Sequence, residues 1–168
     1  MSIEIKQVKN MNFEQQWQIA SAVSAETKSQ FGTEQKIVPV TPILILQREI
    51  GVVALHKNQL VGYVGATNLN DRHTQIGTLV VPEHSQGSGI GQLLVAGITE
   101  LVRETESQPF AFCNPGSQNS FERAGYTPAL PGELPPEAQS QFNNQPMIHT
   151  YKKRALVISS MAERSILV

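Results

Sequence analysis

The sequence predicts an α/β domain built on one mixed sheet with helices on both of its faces. Three observations carry this. Strand-like and helix-like segments follow one another in the order βα(α)βββαβαβ(β), an order that layers helices against a sheet. A strand-like run, residues 76–81, empties into the glycines of residues 81–91 (VPEHSQGSGIG) and from there into an amphipathic helix. With 168 residues and 40% apolar composition, the chain can bury one substantial core and has no room for two ordinary domains.

Taken in order, residues 3–8 set Ile3, Ile5 and Val8 against polar neighbours and read as a first strand. Asn12 then caps a helix on which Phe13, Trp17, Ala20 and Val23 or Ser24 share a face, so Phe13 and Trp17 are expected in the core. In residues 31–48, Pro39 and Pro42 break any long helix, and the apolar run 43–46 suits either a short helix or a loop over a pocket. Residues 51–56 and 60–69 are strand-like, joined by a tight turn at Lys57, Asn58 and Gln59, and residues 70–73 form the next loop. Residues 75–81 make the strand that enters the glycines. The helix beyond them places Ile90, Leu93, Leu94, Gly97, Ile98, Leu101 and Val102 on one face, with Gln92, Thr99, Glu100, Arg103 and Glu104 on the other. Residues 110–113 are a further strand, after which Asn114 and Pro115 suit the N-cap and first position of a helix running to about Arg123. Residues 128–135, rich in proline and glycine, read as a loop, and residues 147–153 as a final strand. The apolar residues 156–168 are suited to packing or to pairing with a second copy, so a homodimer is one expectation.

A formal net charge of −1 gives no electrostatic case for nucleic acid, and the short basic run Lys152, Lys153, Arg154 reads as a solvated strand end. Cys113 is the only cysteine, which rules out an internal disulfide and points to a reducing compartment. The first residues lack a signal-peptide pattern and no stretch approaches the ~20 apolar residues of a membrane span. The expectation is a cytoplasmic protein with no membrane partner and no metal.

The glycine junction carries the chemistry. At a helix start the first backbone N–H groups have no intrahelical partner, and the macrodipole adds partial positive charge, so a bound anion satisfies both. Gly87, Gly89 and Gly91 would let a diphosphate approach the backbone closely and let the chain adopt φ > 0 at small cost. A P-loop is excluded because no lysine follows the glycines. A dinucleotide fingerprint counted from Gly87 puts Gln92 where its third glycine belongs, and no acidic strand end follows about 20 residues on. What remains is Gln86-Gly87-Ser88-Gly89-Ile90-Gly91, with a plain glycine turn that binds nothing as the alternative.

That hexapeptide resembles the [Arg/Gln]-x-x-Gly-x-[Gly/Ala] loop of the GNAT superfamily of N-acetyltransferases. A second segment, residues 114–126, is similar to another motif of that family through Asn114, Ser117, Phe121, Glu122, Arg123, Gly125 and Tyr126. The resemblance is clearest over residues 51–127 and implies a single GNAT-like domain over residues 1–168, with a mainly antiparallel mixed sheet. It implies acetyl-CoA as cosubstrate. The backbone around Leu79, Val80 and Val81 would pair with the pantetheine arm like an added strand and polarise the thioester, while Gln86, Gly87, Ser88, Gly89, Ile90 and Gly91 would hold the pyrophosphate. Asn114 and Ser117 would contact the pantetheine or adenosine side, although Asn114 serves equally as a helix cap. The implied activity is direct transfer of the acetyl group, in a ternary complex, to a primary amine of a small molecule, peptide or protein side chain. Orientation of the two reactants and one preset N–H donor would supply much of the rate.

The sequence departs from the family where proton transfer is concerned. Many members carry Glu where this chain has Gln75, and Tyr where it has Phe121; an amide does not titrate. Tyr63, His73, Cys113 and Tyr126 are the candidate substitutes, His84 could assist an anion, and a water chain could act as base. Each has a plainer reading, such as a solvated loop histidine or a small buried thiol. The catalytic acid and base are therefore unassigned, and a second function class stays open: an acyl-CoA-binding sensor or interaction module that has lost turnover.

Overall fold

The computed structural model describes residues 2–31, 40–113, 115–128, 134–138 and 154–157. In chain order these form β1 (Glu4–Gln7), α1 (Phe13–Phe31), α2 (Pro42–Leu46), β2 (Ile50–His56), β3 (Gln59–Asn70), β4 (His73–Val80), α3 (Ile90–Glu104), β5 (Gln108–Cys113), α4 (Pro115–Arg123), β6 (Thr127–Pro128) and β7 (Arg154–Val157). The strands make one sheet in the order β1-β2-β3-β4-β5-β7-β6. Its ladders are antiparallel except β4 with β5, which run parallel because α3 carries the chain across the sheet between them. The mixed, mainly antiparallel architecture expected from the sequence is the one observed.

Local chemistry explains most boundaries. Lys57 and Asn58 both adopt positive φ, 50° and 62°, so β2 and β3 close through a two-residue turn and Gln59 already belongs to β3. The ambiguous apolar run after Pro42 is a short helix, begun by Pro42 at its first turn and capped by the Thr41 hydroxyl, which accepts from the Leu44 N–H. Successive residues of β2 point to opposite faces, and both faces are covered. Val52 and Ala54 pack with Ile90, Leu94 and Ile98 of α3, while Val53 and Leu55 pack with Ala20 and Val23 of α1 and Ile45 of α2.

Two helix faces lie rotated from their expected positions. Phe13 and Trp17 are not core residues: they are 74% and 44% exposed. The stripe that α1 buries is Ala20, Val23 and Thr27, and at roughly 100° per residue Trp17 falls about a quarter-turn from its centre. On α3 the buried stripe is Ile90, Leu94, Val95, Ile98, Thr99 and Val102, leaving Leu93 53% exposed. Thr99 can enter the core because its hydroxyl donates to the Val95 carbonyl and shares a 2.7 Å hydrogen bond with the Tyr126 hydroxyl. Ile5 is also exposed, since α3 packs over β2 and β3 and leaves edge strand β1 uncovered.

The expected final strand, residues 147–153, lies outside the described residues, as do Lys152, Lys153 and residues 158–168. The observed strand is β7, which takes Leu156 and Val157 of the apolar tail between β5 and β6.

Candidate active site

The parallel β4–β5 ladder runs from His73↔Gln108 to Ile76↔Ala111 and stops, although β4 continues to Val80 and β5 to Cys113. The sheet therefore splits at its middle. A bulge coincides with the split: Gly65 pairs with Gly77 and Tyr63 with Val80, so Thr78 and Leu79 together oppose Val64, and Thr78 sits at φ 56°. Such a bulge bends its strand and re-aims the backbone that follows.

A cleft of about 600 Å³ opens there, bounded by the end of β4, the glycine loop, the start of α3 and α4. Of the residues singled out in the sequence, Leu79, Val81, Gln86, Gly87, Gly89, Ile90, Gly91 and Ser117 line it together. Val80 does not: its side chain is buried on the opposite face with α1. Ser88 is exposed off the wall, its hydroxyl donating to the Ser85 carbonyl. Asn114 lies outside the described residues. Sequence reasoning gave no site role to Gln30, Ser85, Gln92, Gly116, Asn119, Ser120 or Arg123, which also line the cleft. Gly116, Asn119, Ser120 and Arg123 sit inside the second motif segment and were within reach; nothing about Gln30, on another helix, marks it.

The start of α3 is open. Its N-cap, Gly89, adopts φ 82° and ψ 2° and supplies no capping side chain, and Gly87 adopts φ 74°. A Cβ added at either glycine would meet nothing within 4 Å. The first N–H groups of a 15-residue helix thus face unfilled space, with the positive end of its dipole behind them. Gly91 has a different reason to be glycine: an added Cβ would lie 2.7 Å from the Ser120 hydroxyl, so α4 packs directly on the α3 backbone. The Gln86 side chain folds inward. It donates to the Val81 carbonyl at 3.0 Å, and Gln30 of α1 donates to the same oxygen at 2.9 Å, so two amides brace the exit from β4.

None of the candidate proton-transfer groups reaches this cleft. Tyr63 is buried on the α1 face, and burial pushes its phenol up to about 12 against the opposing pull of the Arg48 guanidinium. Burial likewise pushes the Cys113 thiol up to about 12; a hydrogen bond from Ser117 opposes this and Glu122 adds to it. Tyr126 is occupied with Thr99, and His73 meets the Asn70 side chain at the β3–β4 turn. His84 is exposed on the loop. Phe121 is core, edge-on to Tyr126 with ring centroids 5.1 Å apart. Gln75 lies mid-sheet between Thr67 and Phe110. Among the described residues, no carboxylate, His, Cys or Tyr lines the cleft.

The sequence matches the acetyltransferase (GNAT) family over residues 14–126, about two-thirds of the chain. The chain belongs to that family. Solved GNAT-type structures share its fold. N-acetylglutamate synthase from Neisseria gonorrhoeae, complexed with coenzyme A and N-acetyl-glutamate, superposes with TM-score 0.68 at 17% identity, over 95% of this chain and 36% of the synthase. This chain therefore spans about a third of that enzyme. An aminoglycoside 6′-N-acetyltransferase complexed with coenzyme A gives 0.64 at 15% identity, over 95% and 98% of the two chains. The catalytic domain of the Tetrahymena GCN5 histone acetyltransferase, also with coenzyme A, gives 0.65 at 12%, over 94% and 95%. Among curated proteins no sequence matches. In the described residues, no helix is long and apolar enough to cross a membrane, and no group of three or more His, Cys, Asp or Glu is placed to hold a metal.

Proposed function

We propose that this GNAT-family protein is an acetyl-CoA-dependent N-acetyltransferase that moves the acetyl group to a primary amine by direct attack in a ternary complex. The observation that carries the reading is the uncapped start of α3 beside the split in the sheet. The residues present fit the cosubstrate. Gly87, Gly89 and the first α3 N–H groups offer an anion cradle with open space above it, and the cleft volume is that of a small-molecule site. The end of β4, past its last β5 pair, offers the pantetheine arm an edge on which to lie as an added strand. Leu79 and Val81 then hold the thioester against backbone donors, where negative charge develops on the carbonyl oxygen. Ser117 closes the far wall and Arg123 brings a cation to it.

With no carboxylate, His, Cys or Tyr among the described residues of the wall, the amine gives its proton to water, and the departing thiolate, of ordinary pKa ~8.5, needs little help. Catalysis then rests on orientation, which alone supplies several kcal/mol. A small-molecule acceptor is in keeping with the N-acetyl-glutamate bound to the Neisseria gonorrhoeae synthase. We take the chain as one domain in the cytoplasm, in keeping with its single buried thiol, and the apolar tail as the place where two copies would meet.

The same absence of titrating groups favours a second reading, a CoA-binding module without turnover. Thermal unfolding with acetyl-CoA, CoA and NAD tests the shared part. At about 100 times its dissociation constant a ligand adds ~2.7 kcal/mol, a shift of several degrees. Both CoA species are expected to shift the melt and NAD not to; no shift at millimolar acetyl-CoA sinks both readings. Thiol release across an amine panel then separates them.

A further inference from the structure

On the face of the sheet covered by α1 and α2, opposite α3, lies a half-buried cation that the acetyl-transfer reading does not use. Arg48 follows α2 and reaches over Gly65. Its Nη1 donates to the Thr67 hydroxyl at 2.7 Å and its Nη2 to the Thr78 hydroxyl at 3.1 Å, while its Nε is buried with no partner. Two hydroxyls thus fix the plane of the guanidinium, yet neither carries charge.

Among the described residues, no carboxylate is paired with Arg48. Among the described residues the only ion pair is Lys6 with Glu4, on β1. Gln75, paired across the strands with Thr67 and so on the same face as Arg48, is a neutral amide. Tyr63, whose hydroxyl lies over the same Gly65, stays a neutral phenol at physiological pH. Withdrawing a guanidinium from water without a carboxylate is costly, and such a group is a ready receiver for an anion.

Its position says which anion. Thr78 is the bulge residue immediately before Leu79, so the guanidinium is bonded to the chain neighbour of a residue on the wall where the acetyl group would be presented. Gln30 lines the cleft as well, so α1 forms part of its wall. Two of the four Nη hydrogens remain for a ligand.

We propose that Arg48 receives a carboxylate of the acceptor, which makes the acceptor an amine with a carboxylate a few bonds away, as in an amino acid. This rests on the acetyltransferase reading above. A purely structural role, strapping the bulge, is the alternative that the test must separate.

The full chain is assayed at saturating acetyl-CoA with L-amino acids, their carboxamides and the corresponding decarboxylated amines. The acids are expected to exceed their carboxamides in kcat/KM by about 100-fold, as a site built around a charged hydrogen bond discriminates. Arg48→Gln should remove that preference through KM, lowering the acids about 100-fold while leaving carboxamides and acetyl-CoA affinity nearly unchanged. Arg48→Lys should restore part of it, since it keeps the charge and loses the fork. Equal turnover of acid and carboxamide by the wild-type protein overturns the proposal without any variant, and so does an Arg48→Gln loss shared equally by both. If acetyl-CoA stabilises the protein but no amine is turned over, the transferase reading fails on its own. The carboxylate site is then read by calorimetry of N-acetyl amino acids and their amides on the CoA-loaded protein. Binding by the acids alone, lost in Arg48→Gln, supports the site; no difference between acid and amide overturns it.

Discussion

The two sides of the split in the sheet are made of different material. On the loop side the cleft is faced by backbone, with glycines at φ 74° and 82° and a helix start left without a cap. On the α1 and α2 side the polar groups are side chains, Arg48, Thr67, Gln75 and Thr78, drawn from three separate segments. A backbone site tolerates changes of side-chain chemistry and fails when bulk is added. A side-chain site fails when one polar group is deleted. On the proposed reading, the difference separates a cosubstrate cradle made of backbone from an acceptor site made of side chains.

The strongest way to break the comparison is bulk on the loop side. Gly89→Trp should lower acetyl-CoA affinity at least ~100-fold by calorimetry, because the new side chain must enter the space above the helix start. Stability should fall by only about 1–2 kcal/mol, the cost of a side chain at φ 82°, since no protein atom lies within 4 Å of the added Cβ. Unchanged affinity in a folded Gly89→Trp protein would mean that the uncapped helix start is not the anion cradle.

The same contrast governs what the sequence made legible. A backbone cradle requires glycines at set spacing between a strand and a helix, so Gln86 to Gly91 announces itself, and eight of the residues picked out in the sequence converge on one cleft. Arg48 left no such trace: its partners are 19 and 30 residues away, and only the bulge at Thr78 brings them into register. Gln30 escaped for the same reason, reaching Val81 across 51 residues. Element order and most strand limits followed from alternation and turn chemistry. The helix faces did not, because periodicity gives the width of an apolar stripe while tertiary packing chooses which residues centre it, as Trp17, Leu93 and Thr99 show.

A smaller effect distinguishes the two faces by pH. Burial raises Cys113, beside α4, and Tyr63, beneath α1, each to about 12 from ordinary values of 9 and 10. For a group whose folded pKa is raised, the stabilisation is fully present below the unfolded value and is lost as pH climbs through the folded one. Urea unfolding should therefore show stability declining from about pH 9 toward pH 12, with the Cys113 part beginning about one pH unit before the Tyr63 part. Cys113→Ala should delay the onset, and Tyr63→Phe should flatten the upper part. A decline unaffected by either substitution would place its cause in the protein's other ionising groups and not in these two buried ones.

The smallest expected effect is at neutral pH and concerns the Tyr63 hydroxyl alone. That oxygen is buried and has no hydrogen-bond partner, so it forfeits hydration and receives nothing in return. It also stands about 3 Å from where Cβ atoms on Gly51 and Gly65 would sit, which ties both strand glycines to its presence. Tyr63→Phe should hold stability level or raise it by up to about 1 kcal/mol, as deletion of an unsatisfied buried group does, and should leave acetyl-CoA affinity unchanged. A loss of more than 1 kcal/mol would show that the hydroxyl has a partner in solution. The nearest candidate on that face is the Arg48 guanidinium, whose field already acts on it. In that event the phenol would join the side-chain side of the split, and Tyr63→Phe should then also weaken the preference for acceptors that carry a carboxylate.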